Sequence, residues 1–160
     1  MSLETTEIQD KLVDAFGEST LHFNQDAAIF SFEVAADKIT AIILFLKNDP
    51  SLRFHFLTDL CGVHYPDNVI ERQFAVVYHM HNWYENKRIK IKTFINGETP
   101  EIKSISNIFP CANWMERETW DFYGINFIGH PQLKRILNMD EMISFPMRKE
   151  FPLEDGGRTD

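Results

Sequence analysis

"QFAVVYHMHNWYENKRIKIKTFI", Gln73 to Ile95, decides the fold class. It holds two runs rich in β-branched and aromatic residues, Gln73 to His81 and Arg88 to Ile95, joined by Asn82 to Lys87. Such residues suit a pleated, half-buried surface, and the connection is short enough for an antiparallel hairpin. A further strand is expected just upstream, at Arg53 to Leu60.

Working outward toward the N-terminus, "LHFNQDAAIFSFEVA" reads as a second hairpin with its turn at Asn24 to Asp26. In its longer strand Ala28, Phe30, Phe32 and Val34 share one face by the two-residue period. Helices flank this hairpin. Ile8, Leu12 and Phe16 predict one from about Thr6 to Phe16, with Thr6 and Gln9 as a capping box and Gly17 ending it. Ile39, Ile42, Ile43 and Leu46 predict another from about Asp37, its N-cap, to Lys47. The order helix, hairpin, helix, three strands argues for an α+β fold: a mainly antiparallel sheet with helices packed on one face. The face holding Phe30, Phe32, Phe54, Phe56, Val76 and Tyr78 is expected to lie under the two early helices.

Past Pro110 the character changes. A short helix from about Trp114 to Tyr123 is expected, with Asn113 as N-cap and Gly124 past its end. Beyond Pro131 periodicity fades, and "FPMRKEFPLEDGGRTD" carries two prolines and a Gly-Gly step that oppose a helix. The expected division is one α+β domain over residues 1–144 and an extended partner-binding tail over 145–160. A chain of 160 residues accommodates one sizeable core, and 44% hydrophobic with 25% charged residues is an ordinary globular mix.

Composition excludes several function classes. A formal net charge of -8 opposes non-specific attraction to nucleic acid or anionic lipid. One local exception is the basic edge Lys87, Arg88, Lys90 and Lys92, read as an exposed strand face protected by Lys in preference to a nucleic-acid footprint. Cys61 and Cys111 are the only cysteines and form no CxxC, so neither a disulfide framework nor a four-cysteine cluster is expected. The longest apolar run, Ala41 to Leu46, is far below the roughly 20 residues that span a bilayer. "MSLETTEIQDKL" lacks a basic start followed by an apolar stretch, so no signal peptide is expected.

The usual nucleotide and nucleophile motifs are missing: no GxGxxG follows a strand, and neither GxxxxGK[ST] nor GxSxG occurs. His79 and His81 share a strand face, and Cys61 and His64 are possible neighbours, but a metal site needs three or four converging ligands. A free-standing metal-dependent hydrolase using His79 and His81 is the alternative of another class. The densest stretch is "ERETWDFYGINFIGHPQLKRIL", Glu116 to Leu137. Arg117 and Asp121 are four apart and can pair on a helix, and Trp120 with Tyr123 forms an aromatic edge. A helix that mixes charges with large aromatics reads either as half-exposed or as an interface whose charges meet those of a partner.

That stretch, extended to "MERETWDFYGINFIGHPQLKRIL", closely resembles the signature of the C-type subunit of proton-translocating NADH–quinone oxidoreductase, respiratory complex I. Glu116, Arg117, Glu118, Trp120, Asp121, Tyr123, Gly124, Ile125, Phe127, Gly129, His130, Pro131, Leu133, Arg135, Ile136 and Leu137 all fall on it. "FLTDLCGVHYP" is similar to a second family segment, with His64 where Asp is usual. "FPMRKEFPL" resembles a third, with Ser144-Phe145 replacing Gly-His and Glu150 replacing Asp. The resemblance implies a cofactor-free peripheral-arm subunit on the cytoplasmic side of the cell membrane. It would pack against the subunits flanking the quinone site and the terminal iron–sulfur cluster, with FMN and the clusters on partner subunits. The expected partner interface is Glu116, Arg117, Glu118, Asp121, Tyr123, Gly124, His130, Pro131, Arg135, Arg148 and Lys149. The alternative is the homologous subunit of a membrane-bound hydrogenase or another ion-pumping dehydrogenase.

Overall fold

The structure is a computed structural model that describes residues 4–24 and 29–151. Helices α1 (Thr5–Phe16), α2 (Ile39–Asn48) and α3 (Ala112–Tyr123) accompany strands β1 (Leu21–Asn24), β2 (Phe30–Val34), β3 (Phe56–His64), β4 (Phe74–Asn82) and β5 (Lys87–Ile95). The five strands form one sheet in the order β1-β2-β5-β4-β3. Every pairing is antiparallel except that of β2 with β5. A small parallel pair, β6 (Glu101–Lys103) with β7 (Asn126–Ile128), lies beyond it. The α+β fold and the β4–β5 hairpin are as expected; the parallel pairing and the small sheet are not.

Register fixes which residues meet the helices. Phe30 and Phe32 pair with Ile89 and Ile91, and Met80, Tyr78 and Val76 pair with Ile89, Ile91 and Thr93. These residues share one face. Against it lie Ile39, Ile42, Ile43 and Leu46 of α2, all fully buried, and Ile8 and Leu12 of α1. Each such side chain contributes about 1.5–3 kcal/mol relative to exposure. Phe16 and Phe45 tie the two helices together edge to face, with ring centroids 5.4 Å apart.

Three local expectations are corrected. The strand foreseen at Arg53 to Leu60 begins at Phe56 and runs to His64. Arg53 adopts φ 45, and the register slips between Leu57 and Asp59, so the alternation counted from buried Phe54 does not continue. Phe56 is therefore 54% exposed, while Leu57 and Leu60 enter the core. The basic strand is not an edge: β5 is hydrogen-bonded on both sides, between β2 and β4. The helix caps also differ. The helices begin at Thr5, Ile39 and Ala112, without side-chain cap bonds, so Asp37 precedes its helix and Thr6 and Asn113 lie inside theirs. Gly124 ends α3 with φ 72, as foreseen. Ala28 and most of the turn expected at Asn24 to Asp26 lie outside the described residues.

Helix α3 crosses the same sheet face at edge strand β3. A Cβ on Gly62 would stand 2.8 Å from Tyr123 Cδ2 and 2.9 Å from Thr119 Cγ2, so glycine permits the close approach. From Gly129 to Phe151 the described chain has neither helix nor strand. What orders that segment is the chemistry of α3.

Candidate functional site

Asp121, in the last turns of α3, is fully buried. Its Oδ2 accepts the backbone N–H groups of Ile136, Leu137 and Asn138 at 3.0, 2.8 and 3.1 Å. Its Oδ1 accepts Arg135 Nη1 at 2.6 Å and Asn138 Nδ2 at 3.0 Å. Burial alone would raise the carboxyl's pKa; the converging N–H donors of Leu137, Asn138 and Ile136 overcome it and hold the group far below the usual carboxylate range. Arg135, 8% exposed, also donates to the carbonyls of Asp121, Met142 and Ser144. One ion pair thus fastens the irregular segment to the helix at several points.

Arg117 does not pair with Asp121. Its guanidinium donates instead to the carbonyls of Lys134 and Arg135, at 3.1 and 3.2 Å, and lies 4.7 Å from the centre of the exposed Trp114 ring. The i, i+4 spacing allowed the pair, but Asp121 finds a cation fourteen residues on, and Arg117 is taken by open carbonyls there.

Glu116 is the second buried carboxylate. Ser104 Oγ–H donates to its Oε2 at 2.6 Å and Ile105 N–H to its Oε1 at 2.7 Å. Burial raises its pKa to about 7, the two hydrogen bonds pulling the other way. His130 Nε2 stands 4.0 Å from Glu116 Oε2, both side chains being fully buried. Its Nδ1 accepts Gln132 N–H at 3.0 Å, which leaves Nε2 to donate to the Asn113 carbonyl at 3.1 Å.

The tail's first residues close over the end of α3. Arg148 Nε donates to the Tyr123 carbonyl at 2.7 Å, and its guanidinium sits 4.7 Å from the centre of the Phe145 ring. A Cβ on Gly124 would lie 2.6 Å from Arg148 Nη2 and from Phe145 Cε2. Lys149 N–H donates to His64 Nδ1 at 2.9 Å, and the His64 ring stacks on Phe74 at 4.5 Å. His64 and Cys61 fall on opposite faces of β3, so the structure does not bring them together.

Of the expected interface residues, Glu116, Arg117, Asp121 and Arg135 are buried within the chain's own fold. Tyr123, Gly124, His130 and Arg148 are half-buried, and Glu118, Pro131 and Lys149 are exposed. Beside them runs an open groove of about 360 Å³ lined by Asp59, Cys61, Glu118, Tyr123 and Met147, among others. Burial first, then the nearby Asp59 and Glu118 carboxylates, push the Cys61 thiol's pKa up, which disfavours a reactive thiolate. Among the described residues no three His, Cys, Asp or Glu side chains converge as metal ligands. Sequence reasoning missed Ser104 and Asn138, which complete the two carboxylate sites, and the exposure of Leu137, Met139 and Ile143. The last three were visible as apolar residues in a segment with no period to bury them.

Comparison with known proteins places this arrangement. The model of the family described as "Respiratory-chain NADH dehydrogenase, 30 Kd subunit" matches residues 32–156. The chain is 38% identical to the second C-type subunit of the NADH-quinone oxidoreductase of Rhizobium etli, over 96% of this chain and 80% of that protein. Against the C-type subunit of the NADH-quinone oxidoreductase of Roseiflexus castenholzii it is 37% identical, over 96% and 87%. Two solved structures share the fold at 22% identity. A trypsin-resistant fragment of Nqo5 superposes with TM-score 0.66, over 79% of this chain and 99% of the fragment. A chain of the membrane-bound sulfane sulfur reductase, an archaeal respiratory membrane complex, superposes with TM-score 0.76, over 92% and 85%.

Proposed function

The chain belongs to the family of the 30 kDa subunit of respiratory-chain NADH dehydrogenase, and we propose that it serves that complex as a cofactor-free scaffold of the peripheral arm. It is a subunit of an oxidoreductase that passes electrons from NADH to quinone. The observation that carries this is the family match over residues 32–156, which takes in most of the sheet from β2 onward, α3 and the segment that α3 fastens. No helix among the described residues is long and apolar enough to cross a membrane. In this reading the complex is attached to the membrane through other subunits. FMN and the iron–sulfur clusters belong to those subunits, and this one faces the cytoplasm beside the quinone site and the terminal cluster.

In this reading the expected interface residues from Glu116 to Lys149 divide their work. Glu116, Arg117, Asp121 and Arg135 hold the surface in shape from beneath, since their polar atoms are satisfied by the chain itself. Glu118, Tyr123, Gly124, Pro131, Arg148 and Lys149 meet the partner, and the buried His130 ring supports them from beneath. Residues 1–144 form the domain and 145–160 the partner-binding tail, whose first residues rest on Tyr123 and His64.

The test is purification through a tag on this chain from its native cells. The expected result is a multi-subunit assembly, containing FMN and iron, that oxidises NADH with quinone, while the chain dissociated from it contains neither. An assembly that accepts electrons only from a donor other than NADH would assign the chain to a related ion-pumping dehydrogenase.

A further inference from the structure

The three helices all pack on one face of the sheet, and none of them covers the other. On that open face β5 presents Arg88, Lys90 and Lys92, because Ile89 and Ile91 between them, and Thr93 after them, point into the core. Residues two apart on a strand are about 6.7 Å apart, so the three cations form a row roughly 13 Å long. Strand edges are the usual place for protective lysines. That explanation fails here, because β5 is paired on both sides and the edges are β1 and β3.

Among the described residues no carboxylate comes within ion-pair distance of Arg88, Lys90 or Lys92. Glu33 lies beside Lys92 in register, yet its carboxylate takes Arg72 at 2.8 Å. Clustering like charges costs free energy, and a chain with net charge -8 does not need added cations for solubility. The stems lie along the sheet. Lys90 and Lys92 are half-buried, and Lys92 Nζ sits 5.6 and 5.4 Å from the centres of the Tyr65 and Phe94 rings. Beside the row on β4, Ala75 and Val77 are buried.

We infer that this open sheet face is a second docking surface, and that its occupant is an acidic protein surface whose carboxylates meet Arg88, Lys90 and Lys92. The inference rests on the assembly reading only in that the acidic surface belongs to another subunit of the complex. A nucleic acid fits less well: the chain's overall negative charge, with Glu33 and Asp59 on the same face, opposes a phosphate backbone. Carboxylates presented by a folded partner can instead be placed against the row one by one.

The experiment is lysine acetylation followed by peptide mass spectrometry, comparing the full-length free chain with the intact purified complex. Lys90 and Lys92 are expected to lose most of their labelling in the complex. A zero-length carbodiimide is expected to join one of them to an Asp or Glu of another subunit. Equal labelling in both states overturns the inference, as do crosslinks confined to this chain. Protection that disappears on nuclease treatment also overturns it and puts nucleic acid on the face. If the chain is missing from the purified complex, the assembly reading itself fails, so the two failures are distinguishable. As a second arm, Arg88→Gln with Lys90→Gln is expected to leave the free chain's melting unchanged and to reduce its recovery in the complex.

Discussion

Replacing Asp121 by alanine removes the acceptor of a buried guanidinium and of three backbone N–H groups in one step. Breaking a buried pair by deleting one partner costs about 3–5 kcal/mol, chiefly because the remaining charge stays buried. Arg135 keeps three carbonyl acceptors, of Asp121, Met142 and Ser144, which soften its loss. The orphaned N–H groups of Ile136, Leu137 and Asn138 add to it, at about 1–3 kcal/mol for each that water cannot reach. These two corrections oppose each other, and about 3–5 kcal/mol is expected overall. Against a typical domain stability of about 5–15 kcal/mol this is a large share. The assay is urea unfolding of the full-length chain at neutral pH, joined to tryptic cleavage after Arg135, which the loss of Asp121 exposes. The pH dependence has a definite sign. The folded-state pKa is depressed, so the stabilisation is complete above the unfolded value of about 3.9 and fades as pH falls below it. Asp121→Ala therefore flattens the acid limb of the stability curve. A loss under about 1 kcal/mol with unchanged cleavage would refute the internal-hub reasoning and return Asp121 to the partner surface.

The remaining predictions concern other parts of the fold. Leu57→Ala should cost about 2–5 kcal/mol while Phe56→Ala costs little, since only Leu57 enters the core; equal losses would mean the register slip is misplaced. Glu116, raised to about 7, takes up a proton on folding between pH 4.5 and 7, so stability declines as pH rises through that window. The decline is on the order of 3 kcal/mol, and Glu116→Gln should abolish it; an unchanged curve in the variant would assign the window to another group. Limited proteolysis should nick the chain after residue 145 when it is free and spare it in the complex, and equal resistance in both states would join the tail to the domain.

Much of this was readable in the residues because it rests on periodicity. The α2 stripe and the β4–β5 hairpin each repeat a pattern along a continuous segment, and both fold as that pattern dictates. The signature around α3 was legible because many residue types stand at fixed spacing. What was not legible depends on contacts between distant segments. The parallel pairing of β2 with β5 moved the basic strand from a presumed edge to the centre, and no local feature encodes that. The reversal of Phe56 and Leu57 arises from a one-residue slip, which flips every side chain before it. At the candidate site, spacing suggested a pair between Arg117 and Asp121. The carboxylate instead binds Arg135 and backbone N–H groups in a segment with no repeat, where pattern reading has nothing to count.

If this chain is a required part of an NADH–quinone oxidoreductase, and its charged helix supports the chain's own fold, both properties show in membranes. The most direct measurement is NADH-dependent quinone reduction by membranes from cells lacking the chain, with the chain then returned. Activity is expected to be lost without the chain and restored by wild type. Asp121→Ala is expected to restore activity only in proportion to the folded chain that accumulates. Full activity in membranes without the chain would contradict this role.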